Sequence, residues 1–465
     1  MRTIIFTITT LFALLVFVAC GANESDTNNN ELPFHGLSFA EARQDFTTTL
    51  TRQVTNSYTI PQPPEGVFSL VHFQSKVGSL AAFISDDPND GQLHPLIIWV
   101  VGGWSNGISD LPWSYGAWDN DQTGAAFREG GILMMYPSFR GANGNLGYHE
   151  SLYGEIDDIV AAFEFAAALP YVDPSRIYLA GHSTGATRVI LAAAYTDVFR
   201  AVFAFGSVDD ISEHNRAMFT FDLSDNEERM MRSPIFWLDD ITTPAFIIEG
   251  RYGNAQSLEN MKNATTNSNV HIHIIEGGDH FDMLAPITKL VAQRILADVG
   301  AASNISFTDQ ELQTAMNQPP ISPMPIMLPH HNEEIGVSFL LPFAWGQFRE
   351  AHMTYTYTAA FFDENLWESS YLFLDAFDIS FSSSYELDEW LGFDEGFDKW
   401  IININGQEVP IWAGHIRFRG EVHFNIAAAF QTDNQLTIFD FLTPQTFADS
   451  AEYLFTQIIN SITFD

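Results

Sequence analysis

The chain has 465 residues, 46% hydrophobic and 17% charged, a composition that suits a folded protein of two or three domains and excludes a disordered one. Its 58 acidic and 20 basic residues leave a formal net charge of −38, and lysine occurs only at Lys76, Lys262, Lys289 and Lys399. So acidic a chain is repelled by nucleic acid and by anionic lipid, and its charge reads as solvated surface before it reads as recognition of a cationic substrate.

The first twenty residues, MRTIIFTITTLFALLVFVAC, carry one basic residue, Arg2, and then an apolar run that barely reaches the ~20 residues of a membrane span. Residues 1–19 therefore read as a secretory signal peptide. Phe17-Val18-Ala19-Cys20 resembles the lipobox of bacterial lipoproteins, with Phe17 where leucine is usual. The resemblance implies lipid attachment at Cys20. Cys20 is the only cysteine, so an intrachain disulfide is excluded. Residues 20–33 then form a polar tether. The expected location is the secreted side of a bacterial cell envelope, lipid-anchored at the cell surface or in the periplasm.

From about residue 67 strands and helices alternate. VFSLVHFQ and GSLAAFIS predict a hairpin. PLIIWVV is a continuous apolar run, as in a strand buried on both faces, and GILMMYPS is another after a candidate helix near 119–129. YGEIDDIVAAFEFAAALP has apolar residues at helical spacing. The strand RIYLAG, a helix over 183–195 and the strand AVFAFG follow. Beyond an irregular stretch come the strand PAFIIEG, a helix around 256–264, the strand VHIHIIEG and the helix MLAPITKLVAQRILADVG. A hairpin followed by βαβ units predicts an α/β domain over residues 34–316, with an eight-stranded, mostly parallel sheet and helices on both faces.

Residues 317–332 contain the five prolines of NQPPISPMPIMLP and read as a linker. Residues 333–465 follow as an α+β domain with strand-like stretches EIGVSFLLP, AHMTYTYTAAFF, YLFLDAFDISF, WIININGQEV, HIRFRGEVHFNIAAAF and QLTIFDFL, then one helix, TFADSAEYLFTQIINSITF. This region resembles PsbP-like domains, which implies a binding or docking module whose partner is open. His330-His331 reads as a solvated pair, not a metal site.

The chemistry centres on RIYLAGHSTGATRV. Gly-His-Ser-Thr-Gly between a strand and a helix is a nucleophile elbow, whose sharp turn lifts the Ser183 hydroxyl above the sheet. A base is expected after the last strand, where EGGDHFDML places His280 on a glycine-rich turn. His271 and His273 lie within a strand, and His182 is inside the elbow. An oxyanion hole needs convergent backbone N–H groups. WVVGGW ends the third strand with Gly102 and Gly103, which points to the amides of Gly103 and Trp104, and the Thr184 amide opens the helix after Ser183.

PSFRGANGN, the GEIDDIVAAFEFAAALPYVDPSRIYLAGHSTGATRVIL run, RSPIFWLDDITTPAFIIEG and GGDHF, in that order, resemble the catalytic domain of prolyl oligopeptidase-type α/β-hydrolases over residues 66–300. The resemblance implies an α/β-hydrolase fold and a serine hydrolase with Ser183 as nucleophile and His280 as base. There is no room for the N-terminal β-propeller of the large peptidases. Val101 stands where that family's strand-three histidine does. The slot of the family's acid holds Gly253 or Asn254. Asp209, after the sixth strand, is the chosen acid, against the reading that Asp209 and Asp210 cap the next helix; Asn254 is the alternative and Glu249 the third candidate. Residues 211–243 read equally as a wall over the acyl pocket or as ordinary packing. The expectation is an extracytoplasmic serine hydrolase of peptides or esters, peptides favoured, needing no organic cofactor or metal; the alternative is a binding lipoprotein on a non-catalytic hydrolase scaffold.

Overall fold

The computed structural model describes residues 33–464, apart from residues 115, 117–118, 319–325, 333–335, 343–345, 354–355, 363–370, 378–396, 419–420, 432–435 and 445–447. The expected signal peptide, Cys20 and the tether as far as residue 32 lie outside the described residues. Among those described, no helix is long and apolar enough to cross a membrane.

Strands β1 (Phe68–Ser75) and β2 (Gly78–Ser85) form the expected hairpin, in unbroken register from Phe68↔Ser85 to Ser75↔Gly78. After them come β3 (His94–Val100), β4 (Leu133–Pro137), β5 (Val172–His182), β6 (Val202–Phe205), β7 (Ala245–Gly250) and β8 (Val270–Ile275). The eight make one sheet in the order β1-β2-β4-β3-β5-β6-β7-β8. β2 meets β4 antiparallel, and every pair from β4 to β8 is parallel. The apolar runs of β3 and β5 feed two cores because successive side chains leave a strand on opposite faces. Leu96, Ile98, Val100, Ile177 and Leu179 enter one core, while Ile97, Trp99, Tyr178 and Ala180 enter the other.

Helices α1 (Phe39–Asp45), α2 (Ala125–Glu129), α3 (Glu155–Ala167), α4 (Thr184–Tyr195), α5 (Asn226–Met230), α6 (Ala255–Ala264), α7 (Leu284–Ala297) and α8 (Asp309–Met316) cover the sheet. The first core takes side chains from α1, α3, α4 and α6, and the second from α2, α7 and α8. This is the α/β-hydrolase arrangement, mostly parallel with helices on both faces. Helices α1 and α8, which apolar spacing does not announce, each open on a capping box, Ser38 with Glu41 and Thr308 with Glu311. Every residue of α4 from Thr184 to Ala194 is buried, so the helix that carries the elbow is packed on all sides. Burial of each of Val189, Ile190 and Leu191 contributes about 1.5–3 kcal/mol.

Within the expected linker, Met327–Asn332 is a strand, β9, pairing antiparallel with β10 (Val337–Pro342). Ile326 and Leu328 pack with Ile305, Phe307 and Leu312 in the second core. A seven-stranded antiparallel sheet contains β11 (Gly346–Met353), β12 (Thr356–Phe362), β13 (Tyr371–Phe377), β14 (Asp398–Ile404), β15 (Gln407–Phe418), β16 (Glu421–Gln431) and β17 (Leu436–Pro444), in the order β11-β12-β13-β17-β16-β15-β14. Helix α9 (Ala448–Asn460) precedes a short β18 (Thr463–Phe464), which pairs with β10. Three stretches that read as single strands, 351–362, 400–409 and 415–430, span two strands each. At the second, Asn405 and Gly406 both have positive φ, 53° and 88°, the pattern of a tight hairpin turn.

A buried ion pair ties the loop after β4 to α3. Arg140 donates through Nε and Nη2 to both oxygens of Asp158 at 3.0 and 2.9 Å, and its backbone N–H adds a third bond at 3.0 Å. Ser75, ending β1, donates to the same carboxylate, and Glu150 takes the Arg140 Nη1 at 2.7 Å. Asp158 is 0% exposed and Arg140 4%. Removing one charge of such a pair strands the other, so Asp158→Asn is expected to cost about 3–5 kcal/mol. A thermal or urea melt checks this, and an unchanged midpoint would count against the pair as an anchor.

Candidate active site

Strand β5 ends at His182 and α4 begins at Thr184, so Ser183 alone makes the turn. It does so at φ 57° and ψ −122°, outside the regions an L-residue ordinarily occupies. The chain tolerates the turn because its neighbours hold it. Ser183 N–H donates to the Phe205 carbonyl at 2.8 Å, and α4 approaches β3 so closely that a methyl group on Gly185 would overlap the Val100 carbonyl. Ser183 is half-buried, and its hydroxyl has no hydrogen-bond partner among the described residues.

The glycine-rich turn after β8 brings His280 beside the elbow. His280 Nδ1 lies 2.9 Å from Oε2 of Glu249, in β7. Glu249 is wholly buried. Its Oε1 accepts from Gly250 N–H at 2.8 Å, and its Oε2 accepts from Asn254 N–H at 2.9 Å. The carboxylate is thus held by two backbone donors and the imidazole. An Nδ1–H that donates to Glu249 leaves Nε2 as the free acceptor, the tautomer a general base needs. Gly206, at φ 72°, makes room: a side chain there would overlap the His280 ring.

The expected acid, Asp209, is not on His280. Its Oδ2 accepts from Asn260 Nδ2 at 2.9 Å and its Oδ1 is buried without a partner. Asp210 caps the turn at Ile211–Glu213 through Ser212 N–H at 2.9 Å and pairs with Arg229, as the capping reading expects. The physical reason is reach: these aspartates follow β6 and face the 211–243 segment and α6, whereas His280 is met from β7. The alternative, Asn254, sends its side chain to the Gly206 carbonyl at 2.9 Å and serves the site through its backbone N–H on Glu249. Glu249 had a sequence signal of its own, a lone carboxylate in a strand whose every residue is buried.

Around the expected oxyanion hole, Gly103 has φ 83°, and no acceptor meets the N–H of Gly103 or Trp104 among the described residues. Thr184 Oγ1 donates to the Gly103 carbonyl at 2.6 Å, joining the loop after β3 to the start of α4. The Trp104 ring meets His149, His214 and Phe219 at centroid distances of 5.9, 5.2 and 5.7 Å. His214 and Phe219 come from the 211–243 segment. It packs Phe221, Met230, Met231 and Trp237 into the first core, against which Trp104 also packs, as the packing reading expects. His214 is held neutral, its pKa lowered to about 4 by burial and then by the charges of Arg188 and His280.

His182, absent from the expected site, is buried under the base. Its Nε2 bonds to the His280 carbonyl at 3.0 Å and its ring lies 4.6 Å from the His280 ring. Burial first, and the His280 charge second, lower its pKa to about 3. Among the described residues no group of three or more His, Cys, Asp or Glu is placed to hold a metal. His330 and His331 lie in β9, against Phe339 and on the Ser338 hydroxyl.

The depressed His182 pKa has a sign that can be checked. The unfolded chain takes up this proton near pH 6.5 and the folded chain only near 3, so stability is full above about 6.5 and falls as the pH drops toward 3. His182→Gln is expected to flatten the loss of melting temperature between pH 6.5 and 4. An acid limb as steep as in the parent chain would sink this assignment.

Residues 120–280 match the prolyl oligopeptidase family. No match is found among curated proteins. Solved structures similar to the chain include a puromycin-hydrolysing peptidase of Mycobacterium tuberculosis, 18% identical with a TM-score of 0.42, over 52% of this chain and 41% of that one. An esterase of Pyrobaculum calidifontis is 14% identical with a TM-score of 0.38, over 50% of this chain and 86% of that one. An acylaminoacyl peptidase is 18% identical with a TM-score of 0.41, over 53% and 44%. The chain thus spans about two-fifths of the length of the mycobacterial peptidase. The segment from 120 to 280, which carries the elbow, the buried Glu249 and His280, is a domain of the prolyl oligopeptidase family.

Proposed function

We propose that the protein is an extracytoplasmic serine hydrolase that cleaves peptide or ester bonds through an acyl-enzyme. The observation that carries the reading is the 2.9 Å contact of His280 Nδ1 with the buried Glu249, set beside a serine held in a strained elbow. His280 Nε2 takes the Ser183 proton as Oγ attacks the substrate carbonyl. The Thr184 amide, with that of Gly103 or Trp104, receives the negative charge on the carbonyl oxygen. The protonated imidazole then gives its proton to the leaving amine or alcohol. Water, deprotonated by His280, releases the acyl group and restores Ser183. Glu249 stays ionised throughout and stabilises the imidazolium.

The family of residues 120–280 favours a peptide substrate. Export and anchoring through Cys20 rest on the sequence of residues 1–20. The acidity of the chain argues against nucleic acid as a partner.

A fluorophosphonate probe on the mature protein tests the mechanism. Labelling is expected to vanish in Ser183→Ala. Glu249→Gln is expected to slow it by about 10²–10⁴-fold, while Asp209→Asn stays within twofold of the parent. A folded parent chain that never labels would overturn the hydrolase in favour of a binding scaffold. Slowing by Asp209→Asn with Glu249→Gln unaffected would return the acid to the loop after β6.

A further inference from the structure

The two residues that flank Ser183 each send a side chain to the backbone of a different loop, one carrying the expected oxyanion donors and the other the base. Thr184 Oγ1 donates to the Gly103 carbonyl at 2.6 Å. His182 Nε2 donates to the His280 carbonyl at 3.0 Å. From this geometry we infer that Thr184 and His182 are positioning residues that lock the oxyanion loop and the base loop onto the elbow. The inference rests on the serine hydrolase reading and deepens it.

The Thr184 tie acts through a single peptide plane. The Gly103 carbonyl and the Trp104 N–H belong to one planar trans unit and point in opposite directions. Fixing the carbonyl from the elbow side therefore fixes where the Trp104 N–H points. Gly103 itself, at φ 83° and exposed, has no side chain to hold the unit in place. Thr184 thus supplies one donor from its own backbone and fixes the orientation of the Gly103–Trp104 peptide with its hydroxyl. A bare elbow would supply the first and leave the second to a flexible glycine pair.

The His182 tie is made by the Nε2–H of an imidazole that is itself buried, with 1% exposure. The ring also lies tilted against His280 at 4.6 Å and edge-on to Phe281 at 5.5 Å, so the turn that carries the base is held at its carbonyl and by ring contacts. Glu249 holds the imidazole of His280 from the other side, through Nδ1. The base is thereby fixed at two atoms by partners on different strands of the sheet, β5 and β7.

Amide exchange and probe kinetics on the full chain separate the two ties from each other and from a general loss of stability. Thr184→Val keeps shape and removes the hydroxyl, and Thr184→Ser restores it. His182→Phe keeps a ring and removes the donor, and His182→Gln restores one. Thr184→Val is expected to speed exchange over residues 101–107 only, and to lower the maximal rate of fluorophosphonate labelling about tenfold to a hundredfold with the probe's binding constant unchanged. His182→Phe is expected to speed exchange over 277–283 and slow labelling similarly. Thr184→Ser and His182→Gln are expected to recover most of the rate. Exchange at parent rates in these loops, or labelling within twofold of the parent in the Val and Phe variants, overturns the inference. Failure of the parent chain to label overturns the hydrolase reading instead, and the exchange data still decide whether the ties exist.

Discussion

A carboxylate with no exposure to water sits near the end of a parallel strand, and the arrangement of the site follows from how Glu249 is satisfied there. A buried, unpaired charge would cost several kcal/mol, so each of its oxygens must find donors. Backbone N–H groups of Gly250 and Asn254 supply two, which requires the chain to turn tightly on leaving β7. His280 Nδ1 supplies the third, which requires the turn after β8 to fold back toward β6. Gly206 clears the path by having no side chain. The imidazole therefore arrives beside the Ser183 turn because Glu249 has to be partnered. The same bond selects the tautomer that leaves Nε2 able to accept a proton.

Much of the α/β region is legible in the sequence because its signals are local. Continuous apolar runs such as PLIIWVV mark strands covered on both faces, and Gly-His-Ser-Thr-Gly at a strand–helix junction marks the elbow. The histidine is legible from its place after the last strand. The acid is not, because its identity depends on which of several carboxylates points at one ring. Asp209 and Asp210 have a better local context, at a strand end before a turn, but that context is also what a cap needs, and Asp210 is one. Glu249 precedes the turn where the family's acid follows it. Only its loneliness among buried apolar neighbours distinguishes it in the sequence.

The C-terminal region shows a different limit. Alternation identifies strands there, but a hairpin whose turn is two residues long can be read straight through as one long strand. WIININGQEV illustrates this, since only the positive-φ pair Asn405-Gly406 separates β14 from β15. The proline-rich stretch misleads in the opposite direction. Met327–Asn332 pairs with β10 although Pro329 lies within it. Among the described residues that strand pairs with β10 alone, at the edge of a three-stranded sheet, where a missing N–H is tolerated.

The elbow also explains why the neighbourhood of Ser183 is so sparing of side chains. Gly185 is required by the approach of α4 to β3, and the unoccupied N–H groups beside the serine belong to backbone. Backbone donors cannot move far, and they carry no net charge to be desolvated, so they can sit unpaired at a site mouth at little cost in stability. They also respond to any carbonyl oxygen in the same way, whether the leaving group is an amine or an alcohol. Beside the elbow, Trp104 meets His149, His214 and Phe219, so that rings from three separate segments pack together. His214 is kept uncharged by burial, so this cluster of rings holds no fixed charge at that position. The turn at Ser183, the base and its carboxylate are all tied to the ends of sheet strands. The segment between β6 and β7 is tied to the same core as α4, through Phe221, Met230, Met231 and Trp237.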